Sequence, residues 1–301
     1  MRCTALLVLA PALLANAFNV VVSNDDGWAE QNVRTLVTTL NGAGFSTVLS
    51  SPAENQSGTG SSDEEPETVG SDGCQFGSCP PGSPAVGFNA TDNKLNYVNS
   101  YPVTSIKYGI QTLAPKFFGG KPDIAVTGPN VGSNLGLATL FSGTVGAATE
   151  AVKEGIPGIA FSGASGTPTA WNARTPSYST VYAQLATQFT TAVLNAGPKP
   201  YLASGIYLNV NFPDSSSSSC SRASDFKFVL SRINTAIPIF TGKDVVTCGN
   251  GGRLPTESKV VGTSGCYVSV SVGKASSKGD ASAAEQQVVL NRLGGVFSCL
   301  P

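Results

Sequence analysis

A three-layer α/β domain with a mostly parallel sheet is predicted by three observations. The run Val20-Val21-Val22 reads as a strand covered on both faces. It ends abruptly on Ser23-Asn24-Asp25-Asp26-Gly27, and ligands of open α/β sheets bind beyond the carboxyl ends of such strands. From Asn19 to Asn211, strand-like and helix-like segments alternate, the pattern of parallel strands joined by crossover helices. Together these features give a Rossmann-like sheet with a small β-rich C-terminal extension.

The elements follow in order. Val20–Ser23 is the first strand. Gln31–Asn41 carries Val33, Leu36, Val37 and Leu40 on one helical face and is stopped by Gly42 and Gly44. Thr47–Ser50 is the second strand. Pro102 opens a helix expected to reach Leu113, with Ile106, Ile110 and Leu113 inward. Ile124–Thr127 is a short apolar strand, Thr144–Lys153 a helix, Ile159–Ser162 a strand and Tyr178–Leu194 a long helix. Tyr207–Phe212 alternates and breaks at Pro213. Residues 58–89, rich in Gly, Ser, Pro and acid, read as a solvated loop pinned by a disulfide. After the serine run at 215–219, Phe226–Arg232 and Tyr267–Val272 are β-rich, and Ala281–Leu293 makes a closing helix. The expected division is thus residues 1–17, 18–213 and 214–301.

Residues 1–17 have the form of a secretory signal peptide. An apolar run from Ala5 to Leu14 leads to Ala15-Asn16-Ala17, a small-x-small cleavage pattern, and the run is too short to span a membrane. The mature chain is expected to be secreted and soluble. Cleavage removes Cys3 and leaves Cys74, Cys79, Cys220, Cys248, Cys266 and Cys299, an even set that argues for disulfides. Cys74–Cys79 closes a small loop, and the remaining pairs are expected as Cys248–Cys266 and Cys220–Cys299. Two glycosylation sequons occur, at Asn55 and Asn89. A glycan at Asn55 would obstruct the site developed below, which makes Asn89 the better acceptor.

Hydrophobic residues at 41% suffice for a core, while charged residues at 12% are scarce. A net charge of −1 gives no electrostatic case for a nucleic acid polymer or a membrane surface. The chain has no histidine, which excludes Ser-His-Asp and Cys-His hydrolases, HExxH zinc proteases and histidine-nucleophile phosphatases. Catalysis must rest on carboxylates, hydroxyls, amides, lysine, arginine or a metal held by oxygen.

Asp25 and Asp26 are adjacent carboxylates that need a cation beside them when packed. On a strand they would point to opposite faces, so they share an ion only if Gly27 has already turned the chain. The plain alternative is a capping turn before the next helix. Gly128-Pro129-Asn130-Val131-Gly132-Ser133-Asn134-Leu135-Gly136 places amides at intervals of four among glycines, which suits close approach to a ligand. Ser142-Gly143-Thr144 precedes a helix and offers hydroxyls and N–H groups to an anion, or an ordinary N-cap. Asn55-Gln56-Ser57-Gly58 follows the second strand.

In order and spacing these pieces resemble the survival protein SurE family of metal-dependent nucleotidases and phosphatases, closest to its exported fungal-type acid phosphatase branch. The resemblance covers Asn19 to Pro213 and includes Pro122-Asp123 and the strand Leu208–Pro213. It implies Asp25, Asp26, Ser57 and Asn130 as metal ligands, with Asn134, Ser142, Gly143 and Thr144 on the phosphoryl group. It implies a Rossmann-like fold and hydrolysis of phosphate monoesters. Beyond Pro213 the pattern departs from the family. Gly262-Thr263-Ser264-Gly265-Cys266 stands where bacterial members carry Gly-Thr-Asp, and the acid is missing. An all-oxygen ligand set favours Mg²⁺ or Mn²⁺ over Zn²⁺. The expected partner is a small phosphate ester, with a homodimer left open as the assembly. Asp25 and Asp26 are the candidate catalytic groups. An aspartyl-phosphate mechanism and a phospho-ligand-binding protein without turnover are the competing readings.

Overall fold

The computed structural model describes residues 17–216 and 220–301. The expected signal peptide, except its last residue, and part of the 215–219 serine run lie outside those residues. β1 (Asn19–Ser23), α1 (Gln31–Gly42) and β2 (Ser46–Pro52) form where the sequence places them. Further along lies a hairpin that the sequence does not announce, β3 (Val86–Asn89) and β4 (Asp92–Val98). β4 opens on Asp92, Asn93 and Lys94 and carries Asn96 between Leu95 and Tyr97, so its apolar alternation is hidden. Asn89 sits at its turn, where its Oδ1 accepts from the Thr91 N–H at 2.9 Å and the Thr91 hydroxyl at 2.7 Å.

α2 (Pro102–Tyr108) does not end near Leu113. It passes through a π-turn at Gly109–Leu113 into α3 (Ala114–Phe118). Gly109 lies so close to the sheet that a Cβ would meet Val21 Cγ1 at 2.7 Å, and Pro115 has no N–H with which to continue the α ladder. β5 (Ile124–Val131) runs four residues past the expected strand, with a register shift against β6 between Thr127 and Asn130. That bulge carries Gly128-Pro129 and re-aims Asn130. The chain continues through α4 (Ala138–Phe141), α5 (Gly143–Lys153), β6 (Gly158–Gly163), α6 (Ser177–Asn195) and β7 (Ile206–Phe212). It closes with β8 (Lys227–Ser231), α7 (Glu257–Val261), β9 (Tyr267–Lys274) and α8 (Ala283–Leu293).

The described residues build one nine-stranded sheet, ordered β3-β4-β2-β1-β5-β6-β7-β9-β8. From β4 to β7 all pairs are parallel, while β3 and β9 pair antiparallel to their neighbours β4 and β7. The β-rich extension beyond Pro213 therefore lengthens the same sheet. The three valines of β1 are fully buried on both faces. Val20 and Val22 pack toward α1 and α6, and Val21 packs toward α2 and α5. β1 leads to β2 on one side, and β5 lies on the other, so the chain reverses its direction of travel across the sheet between β1 and β5. Ligand crevices form at such switch points.

The disulfides are Cys74–Cys79, Cys220–Cys266 and Cys248–Cys299. The first is the expected pair. The expected Cys248–Cys266 and Cys220–Cys299 pairs are replaced, because strand pairing brings other residues together. The Lys227 N–H donates to the Cys266 carbonyl at 2.8 Å, which sets the start of β8 beside that of β9. The C-terminal tail instead returns along β8, with the Ser298 N–H donating to the Phe228 carbonyl at 2.7 Å, and so carries Cys299 to Cys248. Unreduced peptide mapping is expected to recover the Cys220–Cys266 and Cys248–Cys299 peptides. Replacing Cys220 and Cys266 together by Ser should lower stability by about 2–4 kcal/mol in denaturant titrations.

Candidate active site at the carboxyl ends of β1 and β5

Gly27 turns the chain at once after the aspartates. Its φ is +105°, and a Cβ there would fall 1.9 Å from Gln75 Oε1, in the loop closed by Cys74–Cys79. Asn24 Nδ2 donates to the Gly27 carbonyl at 3.0 Å and staples the same turn. This short turn lets adjacent carboxylates serve one place. Asp25 and Asp26 are 3% and 1% exposed.

Asp25 faces the start of α5. The Thr144 hydroxyl donates to Asp25 Oδ1 and lies 3.5 Å from Asn130 Oδ1. Gly143 makes this approach feasible, since a Cβ on it would sit 2.8 Å from both Asp25 Cβ and Pro102 Cγ. Burial raises the Asp25 carboxyl above its ordinary range, while the Thr144 hydroxyl and the N–H groups of Gly143 and Thr144 pull it down. Asp26 Oδ2 accepts from the Val131 N–H at 2.9 Å, which ties β1 to the β5 bulge. Burial, then the charges of Asp25 and Glu30, push the Asp26 carboxyl well above the ordinary range. Asn130 Nδ2 donates to the Gly132 carbonyl at 2.7 Å, which leaves its Oδ1 turned toward Thr144.

Asn134 lies over the ends of β6 and β7. Its Nδ2 donates to Ser162 Oγ and its N–H to Asn211 Oδ1, both at 2.8 Å. Ser142 Oγ caps α5 by accepting from the Val145 N–H at 3.1 Å, so the N-cap role holds and its own O–H remains available to donate. Ser57 stands apart. Its turn is anchored by the Gln56 N–H on the Asp25 carbonyl at 2.7 Å, yet Ser57 itself is exposed. The structure thus gathers Asp25, Asp26, Asn130, Gly143 and Thr144, keeps Ser142 and Asn134 on the same rim, and leaves Ser57 at the edge.

Sequence reasoning passes over Glu30, Asn209, Asn211 and Glu257, all buried. Asn209 and Asn211 leave one signal, amides two apart in a strand that is otherwise apolar. Glu30 caps α1, with Oε2 accepting from the Asn32 N–H at 2.5 Å, and burial raises its pKa to about 7.

A cation fits this place on the balance of donors and acceptors. Asp26 Oδ1, Asn24 Oδ1 and Asn32 Oδ1 are buried acceptor oxygens without a hydrogen-bond donor, and buried acceptors are normally satisfied. Among the described residues no group of three His, Cys, Asp or Glu is assembled. An ion here would draw on two carboxylates and neutral amide or hydroxyl oxygens, a set suited to a hard divalent cation.

Two predictions follow from this geometry. Gly143→Ala should shift α5 off Asp25, lowering stability by about 1–3 kcal/mol and depressing activity; a wild-type melt and wild-type turnover would show that the close approach is dispensable. The native state binds a proton at Glu30 that the unfolded chain releases between pH 4.5 and about 7. Stability from Glu30 is therefore full below pH 4.5 and lost as the pH rises through 7. Glu30→Gln, which keeps the capping oxygen, should melt about 5 °C above wild type at pH 8 and level with it at pH 4.5.

A family model described as survival protein SurE matches residues 20–234. An acid phosphatase of Yarrowia lipolytica is 32% identical over 300 residues, covering 91% of this chain and 84% of that relative. A 5'-nucleotidase SurE of Gloeobacter violaceus is 37% identical over 146 residues, 48% of this chain and 50% of the relative, so the chain spans half of that protein's length. The crystal structure of the Sure protein from Aquifex aeolicus shares the fold, with a TM-score of 0.56 at 22% identity, over 92% of this chain and 99% of that one. The chain belongs to the survival protein SurE family.

Proposed function

We propose that this protein is an exported phosphoric monoester hydrolase of the nucleotidase or acid phosphatase type that works with a divalent cation, Mg²⁺ or Mn²⁺. The observation that carries the reading is the meeting of Asp25, Asp26, Asn130 and Thr144 at the mouth of the switch point, with more acceptor oxygens than donors. Names of relatives support the reaction class: an acid phosphatase and 5'-nucleotidases. The three disulfides support export.

Asp25, Asp26 and Asn130 would hold the ion, with Ser57 completing the set from the 55–58 turn. When bound, the ion supplies Lewis acidity to the phosphoryl oxygen and makes a water acidic enough to attack at moderate pH. The chain's residues do the rest. Thr144 fixes the rotamer of Asp25 through its hydroxyl. Asp26 Oδ1, the oxygen without a donor, orients the attacking water and takes its proton. The Ser142 O–H and the Asn134 amide line the rim on which charge develops during transfer, beside the start of α5, where the Gly143 and Thr144 donors hold Asp25. Asn134 reaches that rim already immobilised by Ser162 and Asn211.

Hydrolysis of an aryl phosphate is expected to require added Mg²⁺ or Mn²⁺ and to vanish with chelator. Asp26→Asn should lower turnover by about 10²–10⁴-fold and keep a cooperative melt. Full activity of chelated wild type would end the metal reading, and a folded protein that binds nucleotides without turning them over would make it a binding protein.

A further inference from the structure

Glu257 lies outside every part of the site named so far, and outside the segment matched by the family model, which ends at residue 234. It is fully buried at the first position of α7, where a bond from its N–H to the Arg232 carbonyl at 2.9 Å sets its place. Among the described residues no cation forms an ion pair with it: the nearby buried guanidinium, Arg232, is committed to Asp244 and Asp280. Instead each carboxylate oxygen accepts from a neutral donor. Oε1 accepts from Asn209 Nδ2 at 2.8 Å and Oε2 from the Gly136 N–H at 3.1 Å. Asn209 Nδ2 uses its other hydrogen on the Asn134 carbonyl at 2.9 Å, where Asn211 Nδ2 also donates at 3.1 Å. The glycine-asparagine loop is thereby gripped at Asn134 and at Gly136, both grips ending on one carboxylate. A buried carboxylate without a cation is costly in a fold unless something requires it, and Glu257 adds a hold at Gly136 to those that Asn211 and Ser162 provide at Asn134.

We propose that Glu257 is a positioning residue for phosphate-ester binding, presetting the 132–136 loop so that Asn134 meets the phosphoryl group in a fixed orientation. This rests on the reading of Asn134 as a phosphoryl contact. Burial raises the pKa of Glu257 to about 7; the titratable groups facing it are Tyr207 on β7 and Asp280 beyond β9.

The test compares wild type, Glu257→Gln, Glu257→Asp and Asn134→Ala with an aryl phosphate and with inorganic phosphate as inhibitor. In Glu257→Gln an amide NH₂ must face one of the two N–H donors, which frees one grip. KM and the inhibition constant for phosphate should both rise about tenfold, the effect of losing one such hydrogen bond, with kcat and the Mn²⁺ concentration for half-activation within twofold of wild type. Glu257→Asp, which keeps both acceptors on a shorter stem, should recover part of that loss. A folded Glu257→Gln with unchanged KM overturns the proposal, as does a fall in kcat with KM intact. If Asn134→Ala leaves KM unchanged, the phosphoryl-contact reading fails instead; if Asn134→Ala raises KM and Glu257→Gln does not, only the positioning role fails. Should Glu257→Gln not fold, hydrogen exchange of wild type decides. The Gly136 N–H, which Glu257 accepts, must then be protected without phosphate, and solvent-rate exchange there overturns the proposal.

Discussion

Two neighbouring carboxylates buried at the end of a strand set the terms for the architecture around them. Coulomb repulsion and desolvation both oppose their charged forms, and the neighbouring elements β5 and α5 supply dipoles to them. α5 starts on a glycine so that its first N–H groups and Thr144 reach Asp25. The bulge in β5 delivers the Val131 N–H to Asp26 and turns the Asn130 amide inward. The disulfide loop packs so closely under the turn that only a residue without a side chain at position 27 clears Gln75.

The sheet and its helices were legible because they follow local rules. A valine triplet, a helical stripe at Val33, Leu36, Val37 and Leu40, and a Gly-Asn loop after a strand each carry their meaning within a few residues. Of the site residues drawn from resemblance, Asp25, Asp26, Asn130 and Thr144 come together because strand ends at a switch point meet there, while Ser57 stays exposed at the edge. The features that escaped are of another kind. The β3–β4 hairpin hides behind polar residues, since an edge strand needs no continuous apolar run. The disulfide partners of Cys220 and Cys248 depend on β9 pairing with β7 and β8, a choice that spacing does not express. Glu257 becomes meaningful only when α7 lands beside β7, more than a hundred residues from the loop it holds.

Polar burial takes two forms in this molecule. On the β1–β5 side, acceptors outnumber donors and the imbalance suits an ion. On the β6–β7 side, Asn134, Asn209, Asn211, Ser162 and Glu257 close most of their hydrogen bonds on one another, which suits a rigid support. A reactive half and a stiff half meet along the Gly132–Gly136 loop, and satisfied buried networks of the second kind specify a single arrangement.

The order of strands in the sheet also bears on how the protein comes into being. An N-terminal stretch leaving the ribosome can complete β1 to β7 while β7 still presents a bare, apolar edge, because the strand that covers it, β9, begins only at Tyr267. Exposed edges of this kind recruit other chains, and pairing across so long an interval is slow. The Cys220–Cys266 bond joins the residues just ahead of β8 and β9, spanning 46 positions, and so shortens that search once oxidation is available. An oxidising compartment thus protects the nascent sheet from aggregation as well as the finished one from unfolding, and a reducing one leaves β7 open for longest.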